Sequence, residues 1–340
     1  MILHPPILAL VLASLIGCGL IAWASLFAWR LLARWDLASG AESQIALERR
    51  TYLVSTVMAF VMAMQIGALV LFVFNADRMA AMFVGAMCAV GTLNASVYGF
   101  PALYAKMAMF FAASLWLVAD HVDGRGRDYP LTRFKYRLLL AIAPLALVEA
   151  GLSLAYFLDL KADTLTSCCG SLFTPNKDGI AAEMASFDAA SALGLIAAAL
   201  LLAGGTGLAA GSGRLPTGVL RVASLAHGAA SLFVFGAALI AIVSALSLYV
   251  YEHPHHHCPF CILKREYGYV GFALYLPLFA GTALGAGGAM LRTLPLPASL
   301  NVALPSIAGG LARASVAAFA LFAAVAAAIV WRSGLILIGG

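Results

Sequence analysis

The chain has 340 residues, 63% of them apolar and only 10% charged. Soluble domains are about one quarter charged, so this composition, with a mean hydropathy of +0.98, excludes a soluble enzyme, a disordered chain and a nucleic-acid-binding domain. The net charge of +5 does not mark a polyanion binder, because the basic residues are scattered over short loops instead of gathered into one patch.

Apolar runs of about 20 residues are long enough to cross a bilayer as helices. Eight such spans follow in chain order, over 7–29, 52–74, 101–119, 138–158, 187–210, 222–249, 268–291 and 314–331. The runs are continuous and do not alternate, which disfavours a β-barrel. The expected fold is therefore all-α: a single transmembrane helical domain over 1–340, a polytopic integral membrane protein. In the first span, Leu15-Ile16-Gly17-Cys18 resembles a bacterial lipoprotein cleavage box. The apolar run continues past Cys18 and no basic residue precedes it, so Cys18 reads as interior to a span.

Segment 79–100 is apolar but interrupted by Gly85, Gly91, Thr92, Asn94, Ser96 and Gly99. It reads as an outer re-entrant or interfacial segment, tolerable where protein covers its backbone. A ninth span there would carry Arg125, Arg133 and Lys135 to the wrong side. Loops 30–50, 120–137, 211–221 and 292–313 alternate along the chain and hold most of its 20 Lys and Arg. By the positive-inside rule they face the cytoplasm, so both termini face outward. The expected setting is a bacterial inner membrane. No Walker or dinucleotide motif is present in the sequence, so active transport would need a separate energising subunit or an ion gradient.

This topology sorts the reactive residues. All cysteines except Cys18, and all histidines except His121 and His227, fall on the outer side, in segment 79–100, loop 159–186, loop 250–267 and the N-terminus with His4. The densest tract is His253-Pro254-His255-His256-His257-Cys258-Pro259-Phe260-Cys261. Cys-x-x-Cys lets two thiolates converge on one ion or close one disulfide. The tract is expected to open the seventh span, where a helix N-terminus, Lys264 and Arg265 would favour thiolates. Ile262 follows the second cysteine where a c-type haem site needs histidine, so haem attachment is excluded. A zinc staple holding the loop would account for the same ligands.

Cys168 and Cys169 are adjacent, a spacing that strains a disulfide between them. They can share a soft metal, form a labile bond, or simply be buried as small apolar groups. Cys88 follows Met87, with Met79 and Met82 before it and Met58, Met62 and Met64 in the preceding span. Thiolate and thioether together suit Cu(I), although methionines at helical spacing equally serve as core filling. Inside the spans lie Lys106 and Glu149. Consecutive spans are usually neighbours, so these two are expected to approach, with Gln65 as a third member. A purely structural ion pair would explain them as well.

Three functions fit. The first is soft-metal binding and transfer, with copper ahead of zinc, by His255, His256, His257, Cys258, Cys261, Cys168, Cys169 and Cys88; a periplasmic metal carrier protein would be the partner. The second follows from a likeness. Cys258-Pro-Phe-Cys261-Ile262-Leu263-Lys264-Arg265 resembles the Cys-x-x-Cys-Ile-x-x-Arg segment of bacterial DsbB-type quinone-coupled oxidoreductases. That resemblance implies a quinone cofactor facing Cys258 and Cys261 and polarised by Arg265, with Cys168 and Cys169 exchanging with a thiol carrier protein. Those oxidoreductases have fewer spans, and their loop cysteines are well separated. The third is a non-catalytic membrane subunit of a larger complex, for which small-residue faces such as Ala197-Ala198-Ala199 would supply close packing.

Overall fold

The structure is a computed structural model that describes residues 5–36, 41–126, 128–161, 164, 166, 180–295 and 298–337. It is 83% helical with no strand among the described residues. Eight helices are long and apolar enough to span a membrane. The protein is an all-α polytopic membrane protein.

The helices are α1 (Pro5–Arg34), α2 (Glu42–Met79), α3 (Ala89–Asn94), α4 (Gly99–Asp123), α5 (Thr132–Asp159), α6 (Ile180–Ala185), α7 (Ala189–Gly211), α8 (Thr217–Ala241), α9 (Ser247–Tyr251), α10 (Val270–Thr293) and α11 (Ala303–Arg332). A π-helical turn, Ile242–Leu246, joins α8 to α9. The long helices overrun their apolar runs. α2 begins at Glu42, well before the run at 52, because Glu42–Arg50 is rich in Glu, Gln, Leu and Arg, which lose little rotamer freedom in a helix. Gln44 on this extension is buried.

The segment between α2 and α4 breaks into a 3-10 turn, Ala80–Met82, and the six-residue α3, both too short to cross a bilayer. Gly85 sits at φ 88°, a conformation that costs glycine little. At Gly99 a Cβ would stand 2.1 Å from the Leu93 carbonyl oxygen. Only glycine lets α4 start this close to α3.

By contacts the chain parts into two compact units. One takes in Met1–Val84, Thr92–Thr166 and Leu296–Ala303; the other takes in Gly85–Gly91, Ser167–Pro295 and Leu304–Gly340. In the first, α1 packs on α2 and α5, and α4 packs on the same two helices. Its core holds Ile21, Leu31, Met58, Met62, Trp116 and Tyr136. Met58 and Met62 are fully buried there, as core filling. The α4–α5 turn is tied by Lys135, whose Nζ lies 2.9 Å from Asp120 Oδ1 and 2.8 Å from Asp123 Oδ2. Asp123 also accepts from Leu131 N at 2.7 Å and Thr132 Oγ1 at 3.0 Å. The sequence counts Lys135 among the basic residues of loop 120–137; it lies in the first turn of α5, buried and paired.

The second unit buries faces of α7, α8, α10 and α11, including Ala199, Ala203, Val234, Ala238, Leu278, Phe319 and Phe322. Lipid tails are as apolar as these side chains, so close packing, not water exclusion, holds such helices together. Gly285 is the tightest point: a Cβ there would lie 2.1 Å from Ser231 Oγ. Ser315 Oγ donates to Gly281 O at 2.6 Å, a cross-helix bond from α11 to α10. His227 is buried on α8 with Nδ1 3.0 Å from Ala203 O.

Candidate functional site

The site is built where α9 ends. Tyr251 closes α9, and Glu252 follows at φ 51°, in the left-handed region. That turn points the chain into the His/Cys tract. A 3-10 turn runs over Cys261–Leu263 and another over Arg265–Tyr267. Gly268 and Tyr269, at φ 62° and 56°, then redirect the chain into α10 at Val270. The expectation that the thiols open the seventh span is thus corrected: they precede α10 by two short turns. The left-handed pair Gly268-Tyr269 prevents the helix from extending back to Cys261, so no long helix N-terminus acts on these thiols.

Three thiols meet in the second unit. Cys88 and Cys258 are 0% exposed and Cys261 is 6% exposed. Their sulfurs lie within 4.8 Å of one another, and Cys88 Sγ is 3.7 Å from Cys258 Sγ. Cys88 arrives from residues 85–91, far away in sequence. The pocket is fixed through backbone carbonyls. Tyr251 Oη donates to Cys258 O at 2.5 Å, and Tyr275 Oη donates to Pro259 O at 2.9 Å. The Lys264 ammonium donates to Met87 O, next to Cys88.

His257 is the buried histidine of the tract. Its Nδ1 lies 3.1 Å from Val243 O, in the π-helical turn. That oxygen also accepts from Ser247 Oγ at 3.0 Å. A carbonyl can only accept, so Nδ1 carries the proton and Nε2 the lone pair. Burial holds the His257 imidazolium pKa below its ordinary value; the Val243 bond partly offsets this, and His255 and His256 add to it. His256 stacks on Tyr251 with ring centroids 4.0 Å apart. His253 and His255 are exposed, and so is Arg265.

The sequence treated His255, His256, His257 and the cysteines as one ligand set. Among the described residues, the group with a common reach holds the three thiols and no imidazole. Cys168, Cys169 and His4 lie outside the described residues. Sequence reasoning did not find the supports: Tyr251, Tyr275 and the π turn. The closely spaced Ser244 and Ser247, whose hydroxyls bond back into the helix at Ile240 O and Val243 O, were the available signal for an irregular turn.

The sulfur spacing can be set against what each chemistry requires. With metal–sulfur bonds of about 2.3 Å, three sulfurs in a trigonal plane sit about 4.0 Å apart, inside the 4.8 Å limit these thiols already satisfy. A disulfide needs about 2.05 Å, so Cys88 and Cys258 at 3.7 Å would have to close considerably. Structural zinc takes four ligands, and the described group offers three.

A second polar centre lies in the first unit. Lys106 on α4 and Glu149 on α5 form an ion pair, 2% and 0% exposed. Glu149 Oε1 also accepts from Ser14 Oγ at 3.3 Å and Ser153 Oγ at 3.0 Å. Lys106 Nζ stands 5.2 Å from the centroid of the Phe72 ring. A buried pair of this kind is favourable only when further hydrogen bonds satisfy it, and the two serines supply some of them.

No protein-family model, no curated protein and no solved structure matches this chain.

Proposed function

We propose that the protein binds a soft metal ion, copper(I) before zinc, on Cys88, Cys258 and Cys261 and passes it to a carrier protein. The observation that carries this reading is the convergence of Cys88 with the Cys-x-x-Cys pair in one buried pocket. Thiolate ligands select Cu(I), and a three-sulfur set suits its low coordination number. The Lys264 ammonium beside Met87 offsets part of the thiolates' negative charge. On the orientation given by the basic loops, the pocket belongs to the outer face of a bacterial inner membrane, so the carrier is periplasmic.

A second reading keeps the same atoms. Cys88 Sγ, 3.7 Å from Cys258 Sγ, is its neighbour in the pocket and would serve thiol exchange once the two sulfurs close to bonding distance. In that case Cys258 and Cys261 are a redox pair served by a membrane quinone, with Arg265 near it and Cys168 and Cys169 meeting a soluble thiol partner.

The test is metal content and a thiol count on protein purified anaerobically without a His tag, as wild type, Cys88→Ser and Cys258→Ser. About one copper per wild-type chain, lost in both variants while the other thiols stay reduced, is the expected result. No metal, with thiols oxidised in pairs and bound quinone, overturns it in favour of the oxidoreductase. Absence of metal, quinone and redox-active thiols overturns both readings and leaves a non-catalytic membrane subunit.

A further inference from the structure

The ion pair of the first unit has a side that the thiol chemistry does not use. Every hydrogen bond to the Glu149 carboxylate falls on Oε1: from Lys106, Ser14 and Ser153. Its other oxygen, Oε2, is fully buried and has no hydrogen-bond partner among the described residues. The same holds for Nε2 of Gln65 on α2, a residue 3% exposed. Both groups border the same turn of α1. Ser14 bonds Glu149, and a Cβ placed on Gly17, one turn further on, would stand 3.2 Å from Gln65 Nε2. Gly17 thus lets the amide and Met64 Cε, which would stand 3.0 Å from the same Cβ, come close to the α1 backbone.

A buried acceptor and a buried donor of this kind are nearly always satisfied in folded proteins. A bridging water needs two to four polar partners, and this pair provides the minimum. An ionisable side chain inside a span is also expensive, and such groups mark pathways for charge or substrate.

We propose that Glu149 Oε2 and Gln65 Nε2 hold a water molecule between them, and that Glu149 takes up and releases a proton through it. The exchange balances simply. A hydrated proton reaching the water passes to Oε2; the carboxylate becomes a carboxylic acid, and its new O–H donates back to the water. On release the steps reverse. Lys106 neither gives nor takes the proton in this exchange. Its charge is not stranded when Glu149 is neutral, because Ser14 Oγ accepts from it at 3.3 Å and the Phe72 ring lies under it. α1 and α4 pack against α5. The titratable groups they present to Glu149 are Lys106 from α4 and the Cys18 thiol from α1; Ser14, Ser153 and Gln65 complete the polar surroundings. Such a site would let a chain with no nucleotide-binding motif respond to a proton gradient.

The experiment is pH-difference infrared spectroscopy of the full chain in nanodiscs, as wild type, Glu149→Gln, Lys106→Met/Glu149→Gln and Gln65→Leu. The double variant removes both charges together, so a control survives if Glu149→Gln alone fails to fold. The wild-type spectrum, less that of a charge-removed variant, should show carboxylate bands replaced by a protonated carboxyl band as pH falls from about 9 to about 5. Gln65→Leu should keep that transition but move its midpoint and the carboxyl band position. One protonation state at every pH overturns the proton site. A transition that Gln65→Leu leaves untouched overturns the bridging water.

Discussion

The thiol pocket and the Lys106–Glu149 centre are both buried, yet they are held in opposite ways. The thiol pocket is braced from outside the sulfurs, through backbone carbonyls: Tyr251 on Cys258 O, Tyr275 on Pro259 O and the Lys264 ammonium on Met87 O. The ion-pair centre is braced by the charges themselves. In the first, a sulfur can be changed without disturbing what positions it. In the second, the buried charges are themselves part of the bracing, so changing one removes a support of the other.

The largest expected effect follows from that contrast. Lys106→Met leaves the Glu149 carboxylate buried without its ammonium and should cost about 3–5 kcal/mol. Lys106→Met/Glu149→Gln should recover most of the loss. Thermal denaturation in detergent measures both, and equal losses in the single and double variants would erase the contrast. Tyr251→Phe removes the donor to Cys258 O and leaves that carbonyl bare, at about 1–3 kcal/mol. The cost should concentrate in the tract, read as faster alkylation of Cys258 and weaker metal retention.

Cys88→Ser is expected to abolish metal binding at a cost of about 1–3 kcal/mol for the buried hydroxyl, leaving the chain folded. A large loss of stability with metal retained would mean that Cys88 is core filling. The smallest effect concerns pH. Because burial depresses the His257 pKa below 6.5, the unfolded tract binds a proton more readily than the folded one. Stability is therefore fully present above about pH 6.5 and declines as pH falls toward the folded value. Cysteine alkylation between about pH 7.5 and 5.5, measured relative to a free thiol so that the falling thiolate fraction cancels, should rise on acidification, and His257→Gln should flatten that dependence.

Much of the fold was legible in the sequence because long uninterrupted apolar runs have few alternatives to spanning helices. Helix ends were not, since residues such as Glu42–Arg50 favour helix without being apolar. The glycines at 85, 91 and 99 correctly marked the segment after α2 as something other than a span. Cys258 and Cys261 could be read from their spacing. Their meeting with Cys88 could not, because 170 residues separate Cys88 from Cys258 and no local pattern reports a contact of that range. The histidines misled for a related reason. Composition groups them, but a turning backbone sends His253 and His255 to the surface and His257 inward, where its Nδ1 is engaged by a carbonyl.

Residues 85–91 also determine how this gene could be divided. Their neighbours on both sides belong with α2 and α4, yet they contribute to the other unit. A pair of polypeptides split in the stretch between α5 and α7 would separate the coding sequence of one pocket into two messages. The C-terminal fragment would carry Cys258 and Cys261 alone, and only co-expression with the N-terminal fragment could restore the third sulfur.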